Sequence, residues 1–350
     1  MYKRLLILSL LFLSILSSHV SAGQVNSFIY HRFDESRYPS TNISAEIFTQ
    51  QLDYLKQQKI KIISLREVIK RLKAGIELPV AAVSICVDDA YRSFYDVGMP
   101  IIRKYAIPVT LFVNTASVGG SGYMTWDEII ELAAEGVEIE NHTDTHPYMV
   151  ELKTGESYSD WRNRIKSDVE KSQQKFAQHL GFRPTVFVYP FGEYSADIVE
   201  IIKEIGFDGA FAQQSGIITA NNNRYILPRF PMGGPFATLA GFKSKLKMKA
   251  LPVIAELPFD PVIKQNPPVL SINIAGEAIN VSHLNCFAQG DNNCRVENDK
   301  EKGAGWYKII AEKPLSGRRN KYTLTMQTKQ GEWLWYSHLW INAKNPAIKE

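Results

Sequence analysis

Three features are in short supply in this chain of 350 residues, and each shortage excludes something. Charge of one sign is lacking: 40 Lys and Arg stand against 36 Asp and Glu, a formal net charge of +4. So small an excess argues against nucleic acid or an anionic membrane surface as a partner. Long apolar runs are lacking beyond the first residues, so no later segment is long enough to cross a bilayer. Cysteine is scarce, with three residues. Cys86 lies inside an apolar run and has no partner base nearby in sequence, which reads as a small core residue rather than a nucleophile. Cys286 and Cys294 are close enough to close a small loop as a disulfide. A Gly-rich nucleotide turn after the first strand is also missing.

What is present begins with a secretory pattern. Lys3 and Arg4 precede the apolar stretch Leu5 to Leu16, and Val20-Ser21-Ala22 supplies small or compact residues for cleavage. Residues 1–22 are therefore expected to be a signal peptide, with Gly23 starting the mature chain. An uncleaved anchor is the alternative. Either way the body is expected outside the cytoplasm, periplasmic or secreted, with no transmembrane segment once the signal is removed.

From Ser27 onward, strand and helix patterns alternate. Strands are expected at Ser27–Tyr30, Ile60–Leu65, Ala81–Val87, Val109–Val113, Val137–Glu140, Thr185–Tyr189 and Asp208–Ala212, with an eighth at Tyr225–Leu227. Helices fill the gaps. Ser44, Thr125 and Ser195 read as helix starts, and Gly136, Gly181 and Gly206 as helix stops. Alternation of this kind predicts parallel βα units in an α/β fold, a distorted (β/α)7-8 barrel over 23–235. A doubly wound open sheet is the competing architecture. Residues 236–266 read as a linker with a basic stretch, Lys243–Lys249. From Pro267 short β runs separated by turns predict a small all-β sandwich over 267–350. Trp333, Trp335, Tyr336 and Trp340 fall in its last run; they read as sandwich core, with a sugar-stacking face as the alternative.

Polar residues gather at the carboxyl ends of the predicted strands, where β/α barrels carry their chemistry. These are His31, Asp88, Asp89, His142, His146 and the Tyr189-Pro190-Phe191-Gly192 turn. One carboxylate and two imidazoles, from Asp89, His142 and His146, make a donor set suited to zinc or a similar divalent ion with an open position. Such an ion would acidify water and polarise a carbonyl. Asp88 is left over as general base. Successive strand residues point oppositely, so the Asp pair needs a bend to share one pocket. An amide of Phe191 or Gly192 is placed to steady an oxyanion, and His31 is the free imidazole for a leaving amine. His179, His283 and His338 read as structural.

The combination "SICVDDAYRSF", "IENHTDTHP" and "VFVYPFGEYS" resembles the polysaccharide deacetylases of the NodB-homology class, carbohydrate esterase family 4, over about residues 27–230. The opening "FIYHRFDESRYPS" is similar to the branch of exopolysaccharide, poly-N-acetylglucosamine, deacetylases. The resemblance implies a hydrolase that removes acetyl groups from an N-acetylated envelope polysaccharide. It implies a bound divalent metal, Zn2+ first, with Ni2+ or Co2+ as substitutes. It gives Asp88 the role of base, Asp89, His142 and His146 the metal, and His31 the role of acid. Ala90 stands where the family has Gly, and Phe191 where it has Tyr. The family's base-orienting Arg has no match beside Tyr189, and Arg229 in "LPRF" is the residue placed to substitute from the last strand. A non-catalytic glycan-binding scaffold, or a deacetylase of a small amide or O-acetyl ester, are the alternative functions.

Overall fold

The computed structural model describes residues 23–275, 283–289 and 293–345. The expected signal segment 1–22 and, within the expected sandwich, residues 276–282, 290–292 and 346–350 lie outside the described residues.

Two strands set the frame. β1 (Gln24–Tyr30) is buried along its whole length. Two short paired strands follow it, β2 (Arg32–Phe33) and β3 (Asn42–Ile43), then α1 (Ala45–Gln57), β4 (Lys61–Ile62) and α2 (Leu65–Ala74). β5 (Ala82–Asp88), again buried throughout, lies parallel to β1. Near-continuous apolar runs are what a strand covered on both faces requires. α3 (Met99–Tyr105), β6 (Thr110–Val113), α4 (Trp126–Ala134), β7 (Glu138–Asn141), α5 (Tyr158–Leu180), β8 (Val186–Val188), α6 (Ala196–Ile205) and β9 (Gly209–Phe211) continue the alternation. The helix starts are as expected: the hydroxyls of Ser44, Thr125 and Ser195 each accept a backbone N–H of the first turn.

The sheet runs β10-β1-β5-β6-β7-β8-β9, where β10 (Ile218–Thr219) pairs antiparallel with β1. β9 and β1 do not pair directly. The gap is spanned by the segment that follows: Leu227 makes a single bridge to Phe211, and β11 (Phe230–Pro231) pairs parallel with β1. The expected eighth strand at Tyr225–Leu227 is thus one bridge plus a displaced pair. Pro228 and Pro231 lack the amide that a continuous ladder would use. The result is a curled α/β sheet, closed irregularly at this one seam.

Side chains alternate across β5. Val83, Ile85 and Val87 join the cluster packed under α1, α3 and α4. Ala82 and Cys86 join the opposite cluster, with Val25, Ile29, Phe112, Val188, Phe211 and residues of α2. Asp88 follows Cys86 on this inner face.

The expected linker 236–266 is structured. It holds α7 (Leu239–Lys247), β12 (Lys249–Ala250) and β13 (Val253–Leu257). These strands enter two four-stranded sheets together with β14 (Val269–Ile274), β15 (Asn285–Ala288), β16 (Cys294–Asn298), β17 (Trp306–Ala311), β18 (Arg319–Gln327) and β19 (Trp333–Ile341). One sheet is ordered β12-β19-β18-β15, the other β13-β14-β17-β16. A disulfide joins Cys286 on β15 to Cys294 on β16, one from each sheet, with Cα atoms 5.5 Å apart. Trp340 is buried between the sheets, and Trp335 donates to the carbonyl of Ser215 (3.1 Å) and packs on Phe230. Trp333 is exposed. Leu339 and Ile341 enter the same cluster as Ile198, Ile201 and Ile202 of α6. The β-rich part therefore shares core with the curled sheet.

Candidate active site

The period of two along β5 aims Asp88 inward and would aim Asp89 away from it. The backbone breaks that rule at the required place. Asp89 and Ala90 both have left-handed φ, +74° and +56°, which swings the second carboxylate over the end of the sheet. Ala90 thus adopts the conformation for which a Gly would be the ordinary choice.

Asp88 meets Arg229, from the residue before β11, in a two-pronged bond: Nη1 to Oδ1 at 2.8 Å and Nη2 to Oδ2 at 2.9 Å. Nε of the same guanidinium donates to the carbonyl of Ala212 (3.0 Å). Both side chains are almost fully buried. Burial alone would lower the arginine's pKa, but the Asp88 charge more than offsets it and holds the guanidinium protonated. Cys86 lies 3.5 Å from Arg229 Nη1. Burial pushes its thiol up to about 11, as expected of an inert core residue.

His142 follows the last residue of β7, and its Nδ1 lies 3.0 Å from the carbonyl of Val188 on β8. A carbonyl only accepts, so Nδ1 carries the hydrogen and Nε2 presents its lone pair. That Nε2 is 3.1 Å from Nε2 of His146 and 3.4 Å from Oδ1 of Asp89; His146 Nε2 is 3.6 Å from the same oxygen. Three donor atoms on a tetrahedral ion with bonds of about 2.0–2.1 Å would be about 3.3 Å apart. The observed spacings bracket that value. Asp89 Oδ1 is buried and has no hydrogen-bond donor, an arrangement that is costly unless something cationic occupies the centre. Burial would push the Asp89 carboxyl up; the imidazoles of His142, His146 and His31 outweigh it and hold the carboxyl well below the usual range. Burial pushes His146 down to about 4, so its ring is neutral and able to ligate.

The loop that carries both imidazoles is pinned by residues the sequence reading did not single out. Thr143 and His146 have φ of +69° and +54°. Asn141 accepts from the amide of Thr143, and Thr143 Oγ1 from the amide of His146. Asp144 is buried, bonded to Thr115 and paired with Lys171 and Lys175. Asp168 on α5 accepts from the amides of Asp144 and Thr145. Asp144 lies between the two histidines in "HTDTH", which was its one visible signal; Asp168 had none.

His31, next after β1, is half-buried at this same end, close enough for its charge to act on Asp89 and His146. The turn after β8 forms the opposite wall. Phe191 and Gly192 have φ of +58° and +70°. A Cβ on Gly192 would stand 2.3 Å from Cβ of Gln213, so no larger residue fits. The Phe191 ring meets His146 edge-on at 4.4 Å and stacks flat on Tyr148 at 3.9 Å.

Two expectations about this turn need correction. Tyr189 does not face the site: it is fully buried with Phe187 and Tyr194, and its hydroxyl donates to the carbonyl of Tyr225 (2.8 Å). The period of two along β8 sends Phe187 and Tyr189 to that core, opposite to Val186 and Val188. The Gly192 amide is also committed, donating to the carbonyl of Tyr189 (2.8 Å). Phe191 is left as the amide donor of the turn.

A family model described as polysaccharide deacetylase matches residues 76–210, a span that holds Asp88, Asp89, His142, His146 and the Phe191 turn. Over that span the chain is similar to the polysaccharide deacetylases. Poly-beta-1,6-N-acetyl-D-glucosamine N-deacetylase of Staphylococcus aureus (strain MSSA476) is 29% identical over 215 residues, covering 59% of this chain and 73% of that protein. The protein of the same name from Escherichia coli (strain K12) is 24% identical over 300 residues, 73% of this chain and 44% of its own length. Among solved structures, Streptococcus pyogenes deacetylase PplD in complex with acetate aligns with TM-score 0.57 at 21% identity, covering 64% of this chain and 99% of that one. IcaB from Ammonifex degensii aligns with TM-score 0.55 at 24% identity, covering 64% and 95%. These likenesses carry the fold. Polysaccharide deacetylases are hydrolases of N-acetyl amide bonds and depend on a metal, and the Asp89-His142-His146 cluster has the donor set to hold one.

Proposed function

We propose that this chain hydrolyses N-acetyl groups of an extracellular polysaccharide containing N-acetylglucosamine, releasing acetate and leaving a free amine. One observation carries the reading. Three ligand atoms converge on one point, while a fourth group, Asp88, is held beside them by its own arginine and is not needed as a ligand. A site that only bound metal would have no use for that spare carboxylate.

Asp89, His142 and His146 are the residues that would hold the cation, zinc by preference, with nickel or cobalt as substitutes. When bound, it would polarise the amide carbonyl and lower the pKa of water. Asp88 accepts a proton from the attacking water as the new C–O bond forms. Arg229 occupies one lone pair on each Asp88 oxygen, which fixes the carboxylate and leaves the other pairs for that proton. The amide of Phe191 donates to the developing oxyanion. His31, when protonated, gives its proton to the sugar nitrogen as the C–N bond breaks, so the amine departs neutral and acetate remains. The disulfide in the β-rich part and the apolar leader support work outside the cytoplasm, in the periplasm or medium.

The test is acetate release from N-acetylglucosamine oligomers. Release should stop after chelation and return with one equivalent of zinc, nickel or cobalt. Release from fully chelated protein, or none from metal-loaded protein on any acetylated glycan, would refute the reading.

A further inference from the structure

The turn at Phe191 is held from outside the deacetylase domain. The φ of +58° at a phenylalanine persists only where surrounding contacts fix it. Three of those contacts trace to two consecutive arginines at the head of β18, more than 120 residues further along the chain. Arg319 donates from Nη1 to the carbonyl of Phe191 (3.2 Å), and its guanidinium lies 5.3 Å from the Phe191 ring. Arg318 makes a two-pronged bond to Glu193, the residue after Gly192, at 2.8 and 2.9 Å. Both of those side chains are buried. The Arg318 guanidinium also covers the Tyr148 ring at 4.4 Å, and Tyr148 is the ring stacked flat on Phe191.

The arginines therefore act on the turn at three points: its carbonyl, its exit residue and its aromatic ring. The Phe191 ring in turn abuts His146. These contacts of the two arginines are with the turn and Tyr148, not with Asp88 or the three ligand residues. Their reach ends at the wall that carries the Phe191 amide.

We infer that Arg318 and Arg319 are positioning residues for the deacetylation proposed above, and that the C-terminal β-rich part completes the catalytic mouth by fixing the Phe191 turn. The inference rests on that functional reading, since the value of a fixed turn is the aim of its amide at the oxyanion. The β-rich part is then more than a brace or a sugar-binding appendage. Its first duty is to hold strained backbone in place on a neighbouring sheet. A planar fork is suited to this, because one guanidinium satisfies a carbonyl and lies against a ring at once.

The test uses the full chain loaded with zinc. Arg319 is partly exposed, so Arg319→Ala is expected to fold. Loosening the turn should lower kcat by about 10- to 100-fold on N-acetylglucosamine oligomers, the scale of a group misplaced by about an ångström. KM and zinc content should stay near their wild-type values. Arg319→Lys keeps the charge without the fork and should recover only part of the loss. Arg318→Lys, which retains a cation beside Glu193, should behave likewise without unfolding the chain. The second readout is independent of activity: hydrogen exchange at the amides of residues 191–193 should be faster in Arg319→Ala than in wild type. A kcat that does not change in Arg319→Ala overturns the proposal, and so does an unchanged exchange rate. If wild-type protein releases no acetate, the deacetylase reading fails by itself, and exchange at the turn alone decides whether the arginines hold it.

Discussion

Arg229 and Asp88 form a two-pronged charge pair, and both are buried. Removing the guanidinium takes the two-pronged partner from a buried carboxylate. Breaking a buried pair of this sort costs about 3–5 kcal/mol. Arg229→Ala should lower stability by that amount in denaturant unfolding, and should cut acetate release even in the fraction that stays folded. An effect below about 1 kcal/mol would mean that the carboxylate is solvated or neutral in the fold. At this scale the sequence was readable for groups that lie within one motif. Asp88 and Asp89 end an apolar run, and His142 and His146 sit four apart beyond another. Arg229 is 141 residues from its partner, and only the topology of the last strands brings it back. Tyr189 was misread because it was grouped with the turn that follows it. It comes directly after β8, and the alternation of that strand carries on to send its ring to the core.

Elements were legible where local chemistry decides them. Serine and threonine caps set the starts of α1, α4 and α6, and the fully buried strands β1 and β5 fell within a few residues of where their patterns put them. The seam between β9 and β1 was not legible, because prolines interrupt it and single bridges leave no periodic trace. The contact between the two C-terminal sheets was hidden for the same reason. Glu256 on β13 bonds to Tyr336 and lies 3.2 Å from Nδ1 of His338, both on β19 of the other sheet. Burial opposes its ionisation, but His338 and Tyr336 outweigh burial and lower its carboxyl below the ordinary 4.5. The unfolded chain therefore takes up this proton first. The pair's stabilisation is complete above about 4.5 and is lost as pH falls through the lower folded value. In acid titrations of the unfolding midpoint, Glu256→Gln should show a shallower fall than wild type. Equal slopes would mean that Glu256 does not contribute.

Across the whole molecule, the domain that matches the deacetylase family ends before Arg229, Arg318 and Arg319. Arg229 and the two C-terminal arginines nevertheless hold Asp88 and the Phe191 turn. The proposed site thus draws on more of the chain than the motifs that announce it, and those outlying residues carry no motif of their own. The central claim is a division of labour at one mouth of the curled sheet, with three side chains for a cation and a fourth for water. The measurement that tests it most directly pairs zinc content with acetate release for Asp88→Asn beside wild type. The account predicts one zinc per chain in both proteins and a loss of about 100- to 10,000-fold in kcat for the variant, the usual worth of a general base. Zinc lost from Asp88→Asn, or acetate released by it at the wild-type rate, would contradict the account.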